Sequence, residues 1–197
     1  MHVLPFLAVS AIVVVTPGVD MALVTKNALL HGRAAARATA LGVNLGIFLW
    51  TLAGALGLAA VIAASAAAFT AIKLAGALYL VYLGVRALRG SHETVTVVAG
   101  GSAFRQGLAS NLLNPKIAVF FTSLLPQFVD AAHASPQDLL LLGLLFNCMG
   151  VVWLLTYAEL AARGRDVLGR PRVKRALDRL TGVALVGLGV RLAFERR

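Results

Sequence analysis

From Ala38 to Ile72 the chain carries no charged side chain. A run of this length exceeds the roughly 20 apolar residues that one bilayer-spanning helix needs. It therefore divides into two spans, and the Ala/Ser segment around Ala63 to Ala68 is the natural place for a tight hairpin. Further apolar runs predict helices at Val3 to Val24, Leu41 to Ala63, Phe69 to Leu88, Gly107 to Val129, Leu139 to Ala161 and Leu180 to Phe194. The expectation is an all-α membrane protein of about six transmembrane helices, with residues 1–197 forming a single transmembrane transporter domain. Composition agrees: 59% of residues are hydrophobic and 13% are charged, against about 25% charged in soluble domains. The lipid bilayer is thus the expected solvent. The first run lacks a basic leader and an Ala-x-Ala site, so it reads as a retained helix.

A formal charge of +10 raises nucleic acid as a partner. The basic residues, however, fall in short connections between apolar runs and form no basic, aromatic-bearing face, which excludes that class. Lys26, Arg33 and Arg37 lie in the first connection, Arg86, Arg89 and Arg105 in the third, and Arg163, Arg165, Arg170, Arg172, Lys174, Arg175 and Arg179 in the fifth. The second and fourth connections have no Lys or Arg, and the fourth carries Asp130 and Asp138. Odd connections are therefore expected on the cytoplasmic side and both termini outside, although Arg191, Arg196 and Arg197 pull the other way.

Three spans per half make two inverted three-helix repeats geometrically available. Pro17-Gly18 interrupts the first span and Asn114-Pro115 the fourth, each loosening backbone hydrogen bonds where water is scarce. By the boundaries above, both breaks lie about 8 residues from the cytoplasmic end, whereas strict inversion requires mirrored depths.

Charge inside a membrane is costly, so Asp20, Lys73, Lys116 and Glu159 each need a partner, a cavity or neutrality. Lys116 directly follows the second break, too deep to reach the interface easily. It reads as a functional charge, or as an ammonium held by the freed carbonyls of a broken helix. Asp20 follows the first break at similar depth and could pair with Lys116 or change protonation. Lys73 is expected to snorkel, and Glu159 to pair with Arg163 one turn on. Asn44, Asn111, Asn114 and Asn147 can bond between helices or to a zwitterion, with Asn114 favoured by its place beside the break.

Gly42, Gly46, Gly76, Gly84, Gly182, Gly187 and Gly189 suit close helix contact, which also leaves a homodimer through Gly-rich faces open. Trp50, Tyr79 and Trp153 read as packed within the bundle, and so does Cys148, which has no second cysteine to pair with. His2, His31, His92 and His133 lie in termini or connections without metal-ligand spacing, so no metal or cofactor is expected. Gly-x-Ser-x-Gly, His-Glu-x-x-His and phosphate-loop patterns are missing, which disfavours an intramembrane enzyme.

Several blocks resemble the lysine exporter and homoserine/threonine-resistance family (LysE/RhtB type). They are V-T-P-G-V-D-M (Val15 to Met21), H-G-R (His31 to Arg33), K-L-A-G-A-L-Y-L-V-Y-L-G (Lys73 to Gly84), F-R-Q-G-L-A-S-N-L-L-N-P-K (Phe104 to Lys116) and F-F-T-S-L-L-P-Q-F (Phe120 to Phe128). The resemblance implies a bacterial inner-membrane carrier that exports amino acids or close derivatives, generally with the proton motive force. It carries the family's Pro-Gly-Pro-Asp/Asn block onto Pro17, Gly18 and Asp20, and its Asn-Pro-Lys block onto Asn114, Pro115 and Lys116. Val19 departs from it, standing where the family commonly has a second proline. The hypothesis is alternating access between the first and fourth helices, Lys116 and the broken backbone receiving the substrate carboxylate and Asp20 the amino group or coupling proton. The alternatives are a related carrier for a cation or a homoserine-lactone type of solute, and a non-transporting membrane subunit or enzyme.

Overall fold

The computed structural model describes residues 2–58, 66–89, 102–129, 135–164 and 171–194, and every regular element among them is helical. Helix α1 spans Val3–Val15, α2 Val19–Ala53, α3 Ala66–Leu88, α4 Ala103–Leu112, α5 Pro115–Val119, α6 Pro136–Arg163 and α7 Pro171–Phe194. A π-helical turn, Gly54–Leu58, prolongs α2; a π-helical turn, Phe120–Leu124, and a 3-10 turn, Leu125–Phe128, prolong α5. Residues 59–65, at the expected hairpin, lie outside the described residues, as do His92, Asp130, His133, Arg165, Arg170, Arg196 and Arg197.

The outer surface is apolar. Leu41, Leu45, Leu49, Leu52 and Leu56 form an exposed stripe at helical spacing along α2 and its extension, and Leu4, Leu78, Val152, Val183 and Phe194 are exposed elsewhere. A water-facing protein rarely carries so much contiguous apolar surface; in hydrocarbon it has no cost. The chain is an all-α membrane protein. By length and composition, Val19–Gly57, Thr70–Leu88 and Pro136–Arg163 are each long and apolar enough to cross a bilayer, and Ala103–Leu112 with Pro115–Phe128, bent by 46°, adds a fourth where the bent pair is one broken span. Val3–Val15 and Gly182–Phe194 are shorter apolar helices.

Helix α2 is not one straight rod. Gly32 has φ +82°, where a Cβ would be strained, and Asn27 Nδ2 donates to Thr39 Oγ1 at 2.8 Å. Twelve residues of straight helix span roughly 18 Å. The chain must therefore turn back at Gly32, laying residues 19–31 beside residues 33–53. This corrects the expected first connection: Lys26, Arg33 and Arg37 are helical, and the second span starts near Arg33 instead of Leu41. Hydropathy breaks at charged residues, but the alanine-rich sequence after Gly32 keeps its helical hydrogen bonds. The last helix likewise begins at Pro171 instead of Leu180.

Helix α4 lies alongside the second limb of α2. A Cβ on Gly42 would stand 2.0 Å from the Phe104 carbonyl oxygen, and one on Gly107 2.2 Å from that of Thr39. Only glycine permits this approach. Helices α3 and α7 form a second close pair, antiparallel, in which Gly84 and Gly182 each face the other's turn and Gly189 abuts Ala77. These glycines are engaged within the chain, whereas Gly187, also expected in close contact, has nothing within 4 Å. Helix α6 runs antiparallel to the second limb of α2, with Gly143 against Thr51 and Gly150 against Asn44.

These pairings gather the Gly32 reversal, the start of α4 and the ends of α3 and α6 at one end of the bundle. There Glu159 forms ion pairs with Arg33 and Arg37, correcting the expected pairing with Arg163. At the other end the His2 amide donates to the Phe128 carbonyl at 2.9 Å. Between that end and the breaks lies an aromatic core, where Phe120 stacks on Phe146 with ring centres 4.1 Å apart and Phe6 meets Phe128 edge-on. Trp50, Tyr79 and Trp153 pack against the core as expected. Cys148 is exposed on the outer face, and Lys73 is buried; neither the packing reading of the one nor the snorkelling reading of the other holds.

Candidate functional site: two helix breaks that cross

Helix α1 stops where Thr16, Pro17 and Gly18 leave helical conformation. The Thr16 amide and hydroxyl both turn back to the Ile12 carbonyl, and Pro17 has no N–H with which to continue the helix. Gly18 precedes α2 in an extended conformation, which puts Asp20 in the first turn of α2. A carboxylate suits that position, since the amide end of a helix carries partial positive charge. The second break is built differently. Asn114 caps α5, its Oδ1 accepting from the Lys116 amide at 3.0 Å, and Pro115 occupies the first helical position, where a missing N–H costs nothing.

The breaks follow 13 helical residues in the first span and 10 in the fourth, counted from opposite ends of the bundle. Both are therefore near mid-span, deeper than the sequence boundaries implied, because α4 starts at Ala103 and the first limb of α2 runs on past Val24.

The charge after each break reaches the helix end before the other. Asp20 is 8% exposed, and its carboxylate accepts from Ser110 Oγ at 2.8 Å, Asn111 Nδ2 at 2.9 Å and Asn114 Nδ2 at 2.8 Å, all at the end of α4. The Lys116 ammonium donates to the carbonyls of Thr16 at 2.9 Å and Val13 at 3.3 Å, at the end of α1. The ammonium thus rests on carbonyls freed at the end of α1. Asn114 serves both sides, capping the Lys116 backbone with one atom and holding Asp20 with another.

Asp20, Lys116 and Gly18 line a shared cavity of about 30 Å³, walled by Val13, Ile117 and Phe146 among others. That is room for about two water molecules. All six residues singled out by sequence, Pro17, Gly18, Asp20, Asn114, Pro115 and Lys116, thus belong to one crossing. Asn111 joins them, while Asn44 bonds within its own helix to Ala40. Ser110 escaped the sequence reading. Its spacing from Asn114 puts both on one helical face, a usable signal once Asn114 is suspected.

The chain matches the family described as LysE type translocator over residues 11–196. Among curated relatives, the uncharacterized membrane protein YrhP of Bacillus subtilis (strain 168) is 32% identical, over 99% of this chain and 100% of its own. The homoserine/homoserine lactone efflux protein of Salmonella typhi is 28% identical, over 97% of this chain and 95% of its own. The threonine efflux protein of Escherichia coli (strain K12) is 28% identical, over 95% of each chain. No solved structure matches the chain. With the match running from the first helix to the last, the chain belongs to the LysE type translocator family.

Proposed function

We propose that this protein is a secondary exporter of amino acids or close derivatives across the bacterial inner membrane, coupled to protons and working by alternating access at the crossed breaks. The observation that carries this reading is a buried carboxylate and an ammonium on one cavity wall, each held by neutral partners that a zwitterion can replace. The substrate carboxylate takes the Lys116 ammonium and the loosened backbone. Its amino group, or the coupling proton, takes Asp20. A cavity of about 30 Å³ is too small for an amino acid, so entry requires α1 to part from α5. Pro17, Gly18, Asn114 and Pro115 supply the interrupted backbone at which such a movement costs few hydrogen bonds.

The efflux of threonine and of homoserine or its lactone named for two relatives supports the substrate class. The gathering of Arg33, Arg37 and Arg105 at the end of the bundle that holds the Gly32 reversal supports a cytoplasmic placement of that end, with both termini outside.

The test compares cells fed peptides and expressing this protein, its Lys116→Ala variant or an empty vector, with amino acids measured inside and in the medium. One class of amino acid should leave faster only with the unmodified protein. No difference among the three at equal membrane abundance would remove the amino-acid reading in favour of a lactone or cation carrier.

A further inference from the structure

We propose that the Lys116 ammonium is a tethered cation: it occupies a carbonyl seat at the end of α1 that suits a monovalent cation, making the protein independent of sodium. The last turn of any α-helix presents carbonyls without partners inside the helix, at its electronegative end. In carriers with broken helices, such ends coordinate the coupling ion. In α1 the Ile12 carbonyl is satisfied by Thr16. The carbonyls of Val13 and Thr16, on residues only 2% and 3% exposed, converge instead on Lys116 Nζ.

Two features shape the seat for an ammonium that arrives from another helix. A Cβ on Gly18 would lie 3.3 Å from Nζ, so a larger residue there would crowd it. The root of the lysine is pinned by the bond from its amide to Asn114 Oδ1. A free cation entering this seat would meet the ammonium at contact distance, and the nearby Asp20 carboxylate is already engaged by three donors. The seat therefore has its charge supplied by the chain itself. Deleting the ammonium should create a site for a small alkylammonium or for sodium. The further step, in which the ammonium leaves the seat for a substrate carboxylate, rests on the exporter reading.

Lys116→Ala removes three methylenes and the ammonium, the atoms of n-propylammonium. Purified in detergent without substrate, this variant should melt about 4 °C or more below the unmodified protein. n-Propylammonium should recover most of that loss, sodium part of it, and n-propanol or choline none. Lys116→Met fills the space without charge and should gain nothing from n-propylammonium. Equal recovery by n-propanol would mean simple filling of a void and would overturn the proposal. So would a folded Lys116→Ala protein indifferent to n-propylammonium.

Should the alanine variant not fold, the unmodified protein decides. Melting and transport that are equal in sodium and choline support the tethered cation, and sodium dependence of either overturns it. Recovery by n-propylammonium in a protein that moves no amino acid would keep the tethered cation and remove the exporter reading. Amino-acid export without that recovery would do the reverse.

Discussion

At the first break, α1 ends with the carbonyls of Val13 and Thr16 satisfied by a side chain from the other break. At the second, α5 begins from Asn114, which caps it with its own side chain, followed by a proline that belongs at a helix start. The second has its backbone capped locally, within a few residues of sequence, while Ser110, Asn111 and Asn114 beside it are tied to Asp20 of the first break. The first is held shut by an ammonium from a residue a hundred positions away, on a flexible stem. On the exporter proposal, a competitor for that ammonium would release the first break, whereas the second would keep its own cap. The difference makes α1 the element expected to move and α5 the one expected to hold still.

The largest expected effect comes from Asp20→Asn. All three neighbours donate to the carboxylate, so an amide there meets donors with a donor as well as losing its charge. Export should fall at least about a hundredfold, the scale set by breaking a buried charged contact, while insertion into the membrane is unchanged. Equal transport by the inserted variant would remove Asp20 from the mechanism.

Asn114→Ala strikes the locally capped break. It removes both a cap and a donor to Asp20, each on the order of 1 kcal/mol, so melting should fall and export drop about tenfold. Asn114→Asp separates the two roles, since it keeps the capping oxygen but sets a carboxylate against Asp20. If it transports normally, the cap is what matters and the donor is dispensable.

Gly32→Ala lies away from both breaks and tests the reversal alone. Its positive φ makes a Cβ cost about 1 kcal/mol, a loss of about 2–4 °C in melting for a chain of this size. Export per folded molecule should stay the same, and a large transport defect would show that the reversal takes part in movement. The smallest effect is expected from Pro115→Ala, since alanine accepts the first helical position and the Asn114 cap remains. Pro17→Ala should do more, because it restores an N–H to the break whose remaining carbonyls are held by an ammonium from another helix. Should the two substitutions cost the same in melting and transport, the contrast between the breaks would lose its basis.

The spans and their interruptions were readable because they are local. A run such as Ala38 to Ile72 demands the bilayer, and Pro17 and Pro115 interrupt helices wherever they stand. Boundaries were less readable where charged and helix-forming residues coincide, as from Arg33 to Arg37, since hydropathy records the charge and the backbone follows its hydrogen bonds. Glu159 shows the same limit for pairing. Its neighbour in sequence, Arg163, was the economical choice, yet folding back at Gly32 brought Arg33 and Arg37 to it.

By itself, then, the sequence determined a helical membrane protein, the place of its two breaks and the two opposite charges beside them. Tertiary structure alone decided what those charges touch. Ser110 became a donor to Asp20 only because α4 packs against α2 through Gly42 and Gly107. The carbonyls that receive Lys116 belong to a valine and a threonine whose side chains announce nothing. Every residue carries the same backbone oxygen, and which ones stand free at a helix end facing an ammonium is a property of the packed chain.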